Sequence, residues 1–404
     1  MKKIEPRTLS GFMELLPEDQ LKFNKLYDTI KNTYEQFGFL PLDTPVIEAS
    51  EVLLAKAGGE TEKQVYQIKK GDSDLTLRFD LTVPLAKYVA KNYGFLSFPF
   101  RRYQIGKVYR GERPQKGRFR ELYQADIDIV GDGELSVIND AEIPNIIYNI
   151  FKNMGLDNFT IKVNNRKILN GFYEHLNVLD KSPEIMRVID KIYKIGESKV
   201  EAELLDLNLS SEVARQILDF VLIDGTNDFI IKKLKELNIE NDTFKTGVDE
   251  LKTVCNFSRM FGINESNFII DLKISRGLDY YTGTVYETYL DDYPEIGSIC
   301  SGGRYDNLAE YYTDKKLPGV GISIGLTRLF DQLKELNIMA EEKISVSDVL
   351  IIPMTDNYDY ILDVYKTLVN NKINTQIFYE KRKIKSIINF ANKLNIPYVI
   401  FIGD

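Results

Sequence analysis

Residues 122–130, Leu-Tyr-Gln-Ala-Asp-Ile-Asp-Ile-Val, constrain the fold more than any other segment. Ile127 and Ile129 alternate with Asp126 and Asp128, so an extended chain sets both carboxylates on one face and both isoleucines on the other. That alternation predicts an antiparallel sheet with one polar working face. Further strands are expected at 75–79, 104–110, 268–271, 284–289, 297–301 and 319–323.

Helical periodicity surrounds these runs. Phe23, Leu26, Tyr27, Ile30, Tyr34 and Phe37 recur at three- and four-residue steps and predict a helix over 17–38. Pro17, Glu18 and Asp19 suit its first turn, and Gly38 suits a left-handed stop. The next segment carries Pro41 and Pro45, so it is extended and lies at a sheet edge or an interface. Thr82-Val-Pro84 opens a short helix, and 140–154 forms another with Ile143, Ile146, Ile147, Ile150 and Phe151 on its buried side. From about 171 to 262 short helical patterns follow one another, with Pro183 as the only breaker. After a linker at 341–347 the tail alternates strands near 348–352, 374–378 and 397–402 with helices near 358–371 and 382–394. The expected class is α+β. Its divisions are a core at 1–170 and 263–340, an inserted helical domain at 171–262, and a C-terminal α/β domain at 341–404. A length of 404 residues accommodates them.

Composition excludes several chemistries. Cys255 and Cys300 are too few for a disulfide framework or a cysteine zinc cage, and His175 is the only imidazole, which removes two-histidine metal sites. His175 lies in a helical pattern and reads as structural. The opening residues reach Glu5 and Pro6 before any apolar run long enough for a signal peptide, and no stretch nears the ~20 apolar residues of a membrane span. A cytoplasmic, non-membrane protein is expected. No P-loop and no G-x-G-x-x-G after a strand occurs. The net charge of −8 argues against indiscriminate nucleic-acid binding.

Against that balance, residues 101–120 hold eight basic residues and one acid, Glu112. Two strands joined by a turn at 113–117 would bring Arg110 and Arg120 together, where a guanidinium can grip a phosphate bidentately. A solvated hairpin is the bland alternative, and the density of charge favours anion binding. Ser275–Thr284 gathers an arginine, a carboxylate and two phenols, a set that can line a pocket for a small zwitterion. Ser301-Gly-Gly-Arg-Tyr-Asp306 offers glycines for close backbone approach, and 319–328 reads as a strand entering a helix that carries Arg328. Asp80, Glu112, Asp126 and Asp128 could serve as acid–base groups, but opposite so many arginines they better suit cations or ammonium groups.

The basic hairpin, then RGLDYYTG, then GVGISIGLTR, in that order, resemble a class II aminoacyl-tRNA synthetase of the histidyl-tRNA synthetase family over essentially the whole chain. Pro45 with the preceding helix resembles motif 1, Tyr109–Gln124 motif 2 and Gly319–Arg328 motif 3. Arg276–Tyr281 and Ser301–Asp306 resemble the histidine signatures. The resemblance implies that Arg276 and Arg110 are catalytic. Histidine would be bound by Asp80, Leu81, Thr82, Arg110, Gln124, Asp128, Arg276, Tyr280 and Tyr281. ATP would be held by Arg110, Glu112 and Arg328, with Mg²⁺ on its oxygens. tRNA would meet Arg113, Lys116, Arg118, Lys381, Arg382 and Lys383, the last three in a tail with a balance of +5 over 365–404. A homodimer charging tRNA(His) is implied.

Leu122 replaces the family's usual aromatic, Leu9-Ser-Gly-Phe-Met-Glu14 departs from the common bacterial opening, and the tail is expected to be shortened. A regulatory subunit of ATP phosphoribosyltransferase, with the same fold and a histidine pocket, is the rival reading. A general tRNA-binding module is a more distant one.

Overall fold

The computed structural model describes residues 3–55, 64–113, 117–275, 280–339 and 345–403. Its strands in chain order are β1 Leu40–Pro41, β2 Ile47–Ala49, β3 Gln67–Lys70, β4 Ser73–Leu77, β5 Phe100–Tyr109, β6 Glu121–Val130 and β7 Phe159–Asn165. They continue with β8 Phe268–Ile270, β9 Thr284–Leu290, β10 Cys300–Tyr305, β11 Gly319–Ile324, β12 Val349–Pro353, β13 Thr375–Ile377 and β14 Tyr398–Ile402. Two compact units divide the chain: 1–12 with 27–332, and 13–26 with 333–404.

An eight-stranded sheet, in the order β1-β5-β6-β11-β10-β9-β7-β8, carries the first unit. Only its edge pairs, β1 with β5 and β7 with β8, are parallel. The expected antiparallel ladder is therefore present, with parallel margins. The register explains the alternation in β6. Asp128 stands opposite Arg102 on one side and Gly321 on the other, and Asp126 stands between Gln104 and Ser323. These residues share a face, while Ala125, Ile127 and Ile129 are fully buried on the reverse. Tyr286 of β9, on that reverse side, donates its hydroxyl to the Asp140 carbonyl of the helix Ile138–Asn153, whose buried isoleucines match the predicted stripe.

Helices fill residues 166–260 without an intervening strand, in the same compact unit as the sheet. Side-chain caps start four of them: Asn165, Ser210, Thr226 and Asn241 each accept a backbone N–H two or three residues on. Pro183 begins a helix, Ser182–Ile189, and breaks none, because the first turn has no use for its missing N–H. The helices Arg166–His175 and Asp242–Met260 cross closely at Gly171 and Gly247. A Cβ at either position would sit 2.5 or 2.7 Å from the opposing backbone. His175 is exposed at the end of its helix.

Two strand expectations need correction. The strand expected at 297–301 forms at Cys300–Tyr305, because Gly297, at φ 72°, ends the turn Pro294–Ile296. The glycines at 302 and 303 lie inside that strand and not in a loop. A Cβ at Gly302 would approach the Gly321 carbonyl to 2.2 Å, so this pair of strands requires glycine to close. β4 runs over Ser73–Leu77, slightly before the expected 75–79. Strand β7 was not anticipated. Its Thr160, Asn164 and Asn165 dilute the apolar signal, and tertiary hydrogen bonds satisfy them, as when the Asn164 amide donates to the Leu272 and Ile274 carbonyls.

The second unit holds a parallel sheet, β13-β12-β14. Leu350 and Ile352 pack with Ile387 and Ala391, while Val349 and Ile351 pack with Ile361. Alternate residues of β12 thus face the two helices Ile384–Lys393 and Tyr358–Asn370. This is the α/β arrangement predicted for the tail.

Candidate active site

A cleft of about 600 Å³ opens over the polar face of the sheet. Asp80, Thr82, Arg110, Glu112, Arg118, Gln124, Asp128, Tyr280, Tyr281 and Arg328, from five separate stretches of sequence, all line it. The side chain of Leu81 does not; it is fully buried. Arg113 is exposed. Lys381, Arg382 and Lys383 belong to the second unit and are exposed. Arg276 and Lys116 lie outside the described residues.

One end of the cleft is acidic and phenolic. The Asp128 carboxylate accepts from Arg102 Nη2 at 2.6 Å and from the Tyr305 hydroxyl at 2.8 Å. Gly321 leaves it room, since a Cβ there would sit 2.1 Å from Asp128 Oδ1. Asp80 accepts the backbone N–H groups of Thr82 and Val83, capping the helix Thr82–Asn92 while facing the cleft. The rings of Tyr280 and Tyr281 meet edge-on at 5.0 Å, and Tyr280 meets Tyr305 at 6.0 Å. Burial pushes the Asp126 carboxyl up to about 7 and that of Asp128 up to about 6, and the Arg102 charge pulls both back. Burial also raises Asp80, opposed by the Val83 N–H and by Arg110. This end needs a cation to keep its carboxylates ionised.

The other end is cationic. Arg328 donates to the Ile296 carbonyl and, at 3.0 Å, to that of Ser298, while its Nε is buried without a partner among the described residues. Burial, and then the nearby charge of Arg118, lower its pKa. Arg118 reaches Glu112 only at 3.9 Å. Two crowded guanidiniums with unspent donors suit a polyanion. Between the ends, Arg110 rests over Phe79 and donates to the Phe79 carbonyl and to Gln124. Gln124 donates to Ser323, and Ser323 to Asp126. This chain of hydrogen bonds fixes the floor of the cleft from one end to the other.

Several residues in the basic segment 101–120 do not face an anion, contrary to the expectation drawn from its charge. Arg101 pairs bidentately with Glu142, Arg102 with Asp128, and Lys107 with Glu121. Arg120 does lie beside Arg110 through a backbone bond, but its guanidinium turns to the Glu112 carbonyl. Arg304, within the Ser301–Asp306 signature, is buried against Asp140, which also accepts from Thr284. Losing one partner of such a pair costs about 3–5 kcal/mol, which makes Arg304 architectural. Asp306 accepts from Thr282 and so joins the two signature segments. Gln64, Glu287 and Ser323 line the cleft beyond the predicted set, and so does Asp126, singled out only as a candidate carboxylate and given no ligand. Asp126 was legible from its two-residue spacing to Asp128; Gln64 and Glu287 carry no local signal.

A family model described as histidyl-tRNA synthetase matches residues 11–329, and one described as an anticodon binding domain matches 348–404. The histidine–tRNA ligase of Clostridium tetani is 58% identical over 100% of this chain and 92% of its own length. That of Finegoldia magna is 50% identical over 99% and 93%. The crystal structure of histidyl-tRNA synthetase from Nostoc sp. PCC 7120 superposes with a TM-score of 0.91 at 41% identity, covering 100% of this chain and 92% of that one. An ATP phosphoribosyltransferase regulatory subunit/histidyl-tRNA synthetase from Bacillus halodurans C has a TM-score of 0.80 at 20% identity over 100% of both chains, a likeness of fold alone. The family model spans most of the sequence, and a full-length relative agrees at more than half of its positions: the chain belongs to the histidyl-tRNA synthetase family.

Proposed function

We propose that this chain activates L-histidine with ATP, giving histidyl-adenylate and pyrophosphate, and then transfers the histidyl group to the 3′ end of tRNA(His). A single cleft with a carboxylate-and-phenol end and a guanidinium end carries this reading, because the first step must hold an ammonium-bearing amino acid in line with a triphosphate. The histidine carboxylate attacks the α-phosphorus and pyrophosphate departs. A hydroxyl of the terminal ribose then attacks the acyl carbon and AMP departs.

Asp80, Thr82, Gln124 and Asp128 would receive the ammonium and imidazole N–H groups, with Tyr280 and Tyr281 flanking the ring. Arg110, anchored by the Phe79 carbonyl, would stabilise charge developing at the α-phosphate without reorganising. Glu112 would meet the adenine end and Arg328 the far phosphates. The resemblance assigns Arg276 a second guanidinium role at the same phosphate. Mg²⁺ would accompany the nucleotide and offset its phosphate charge; among the described residues no group of three or more His, Cys, Asp or Glu could hold a metal ion.

Arg113, Lys116 and Arg118 are assigned to the tRNA acceptor end, and Lys381, Arg382 and Lys383 to the anticodon. The division into a core at 1–170 and 263–340, an insertion at 171–262 and a tail domain at 341–404 is proposed as the functional one. A homodimer is proposed across the β1 edge, where Leu40 is 62% exposed. No helix among the described residues is long and apolar enough to cross a membrane, and a cytoplasmic location is proposed.

Histidine-dependent exchange of pyrophosphate into ATP, followed by charging of tRNA(His), tests the reading. Exchange with histidine and not with other amino acids is expected. Histidine binding without exchange would favour the regulatory-subunit alternative.

A further inference from the structure

Arg102 is the largest fully buried side chain of the molecule as described. It sits on β5 directly opposite Asp128. Its Nη2 lies 2.6 Å from Asp128 Oδ2 and donates at 3.2 Å to the Leu81 carbonyl. One nitrogen therefore ties the strand bearing Asp128 to the segment Asp80–Thr82, the two sides of the acidic end. The Nε and Nη1 atoms find no hydrogen-bond partner among the described residues, and neither does the neighbouring Gln104 Oε1. A buried ion pair left so incompletely satisfied is a poor way to stabilise a fold; apolar side chains of similar volume commonly do as well or better. Its placement at the base of the cleft points to a role in the site.

We propose that Arg102 is a positioning residue of the amino-acid pocket, holding Asp128 ionised and oriented so that it accepts N–H groups of histidine. This inference rests on the functional reading given above. Arg102 fixes one oxygen of Asp128 and Tyr305 fixes the other, so the carboxylate cannot rotate away, and the bare Gly321 keeps the strand beneath it clear. Charge balance makes the same point. The carboxyls of Asp80, Asp126 and Asp128 all feel Arg102, and all three are buried. Arg110 also acts on Asp80, and the un-ionised groups Tyr34, Tyr280, Tyr281, Tyr305 and Cys300 complete the surroundings. Without Arg102 the cluster would have to take up protons, and a protonated Asp128 would lose its charge and part of its capacity to accept.

The test is pyrophosphate exchange across pH 5.5–8.5 with Arg102→Met, Arg102→Lys and Tyr305→Phe. For Arg102→Met the histidine KM is expected to rise about tenfold or more, with the ATP KM changed by less than about twofold. The pH below which histidine use fails should move up by about one unit. Arg102→Lys should recover much of the loss by restoring the charge. Tyr305→Phe, a milder change that leaves the pair intact, should shift the pH limit in the same direction by a smaller amount. Parallel rises in both KM values, an unmoved pH limit, or a lysine variant as impaired as the methionine one would each overturn the proposal. If Arg102→Met does not fold, Tyr305→Phe decides, and an unchanged pH limit there is equally fatal. Absence of histidine-dependent exchange in the unsubstituted protein would instead refute the functional reading itself.

Discussion

The two ends of the cleft are built on opposite principles. At the acidic end the described charges are buried and already engaged: Asp128 with Arg102 and Tyr305, Asp126 with Ser323, Asp80 with two backbone N–H groups. At the cationic end Arg328 keeps an unpartnered Nε, and the Arg118 side chain is 57% exposed with only a distant carboxylate. The end proposed for the amino acid is thus shaped without a ligand, which suits discrimination among small zwitterions, where an ill-placed donor or acceptor is costly. The end proposed for the nucleotide keeps unspent donors that phosphates would satisfy. On the proposed function, selectivity and affinity are placed at different ends of one floor.

This contrast can be broken most sharply at Asp128. Asp128→Asn keeps the shape and removes the charge; the histidine KM in pyrophosphate exchange should rise about 100-fold while the ATP KM stays within about threefold. A comparable loss for ATP would mean that the ends are not separate. Next in size is Arg328→Gln, for which the ATP KM should rise about tenfold and the histidine KM should hold. If ATP use is unaffected, Arg328 serves only to fasten the turn at Ile296–Ser298.

The pH response sharpens the comparison further. Because burial raises the carboxyls of Asp126 and Asp128 to about 7 and 6, the folded apo protein binds protons between about pH 4 and 7 that the unfolded chain does not. These groups therefore add to stability at low pH, and that contribution is lost progressively as pH rises from about 4 through 6 to 7. A bound ammonium reverses the preference. Histidine affinity should fall as pH drops from 8 to 5.5, with protons released on binding. Free histidine titrates near 6.5 as well, so calorimetry in paired buffers should compare the protein with Asp126→Asn, which is expected to release fewer protons. Equal release from both would remove Asp126 from the account. The smallest effect belongs to the exposed cations of the second unit. Lys381 and Asp356 are both more than 80% exposed, so Lys381→Ala should change stability by less than about 0.5 kcal/mol. Its tRNA charging should become slightly less salt-sensitive. A large stability loss would show a structural role.

Much of this was readable in advance, for identifiable reasons. The alternation Asp126-Ile127-Asp128-Ile129 specified both faces of β6, because a two-residue period leaves no other arrangement in a half-buried strand. Helix starts in the helical region 166–260 went unread: Asn165 and Ser210 cap their helices, and Pro183, expected as a breaker, opens one. Charge was legible only as a sum. The basic count over residues 101–120 overstated the anion site, since Glu142, Asp128 and Glu121 neutralise Arg101, Arg102 and Lys107, and all three partners lie outside the segment. Arg304 is neutralised from a greater distance, its partner Asp140 lying 164 residues away in sequence. Pairings set by sheet order leave no trace in local composition. The close approach expected of the glycine at 302 is present, and with Gly321 it marks where neighbouring strands and a carboxylate come too close for any side chain.

A crystal structure with L-histidine and ATP both bound measures the division of labour most directly. The imidazole and ammonium should lie among Asp80, Asp128 and Tyr280, and the triphosphate should run past Arg110 to Arg328. Histidine seated beside Arg118 and Arg328, or the two substrates held in separate cavities, would contradict the account.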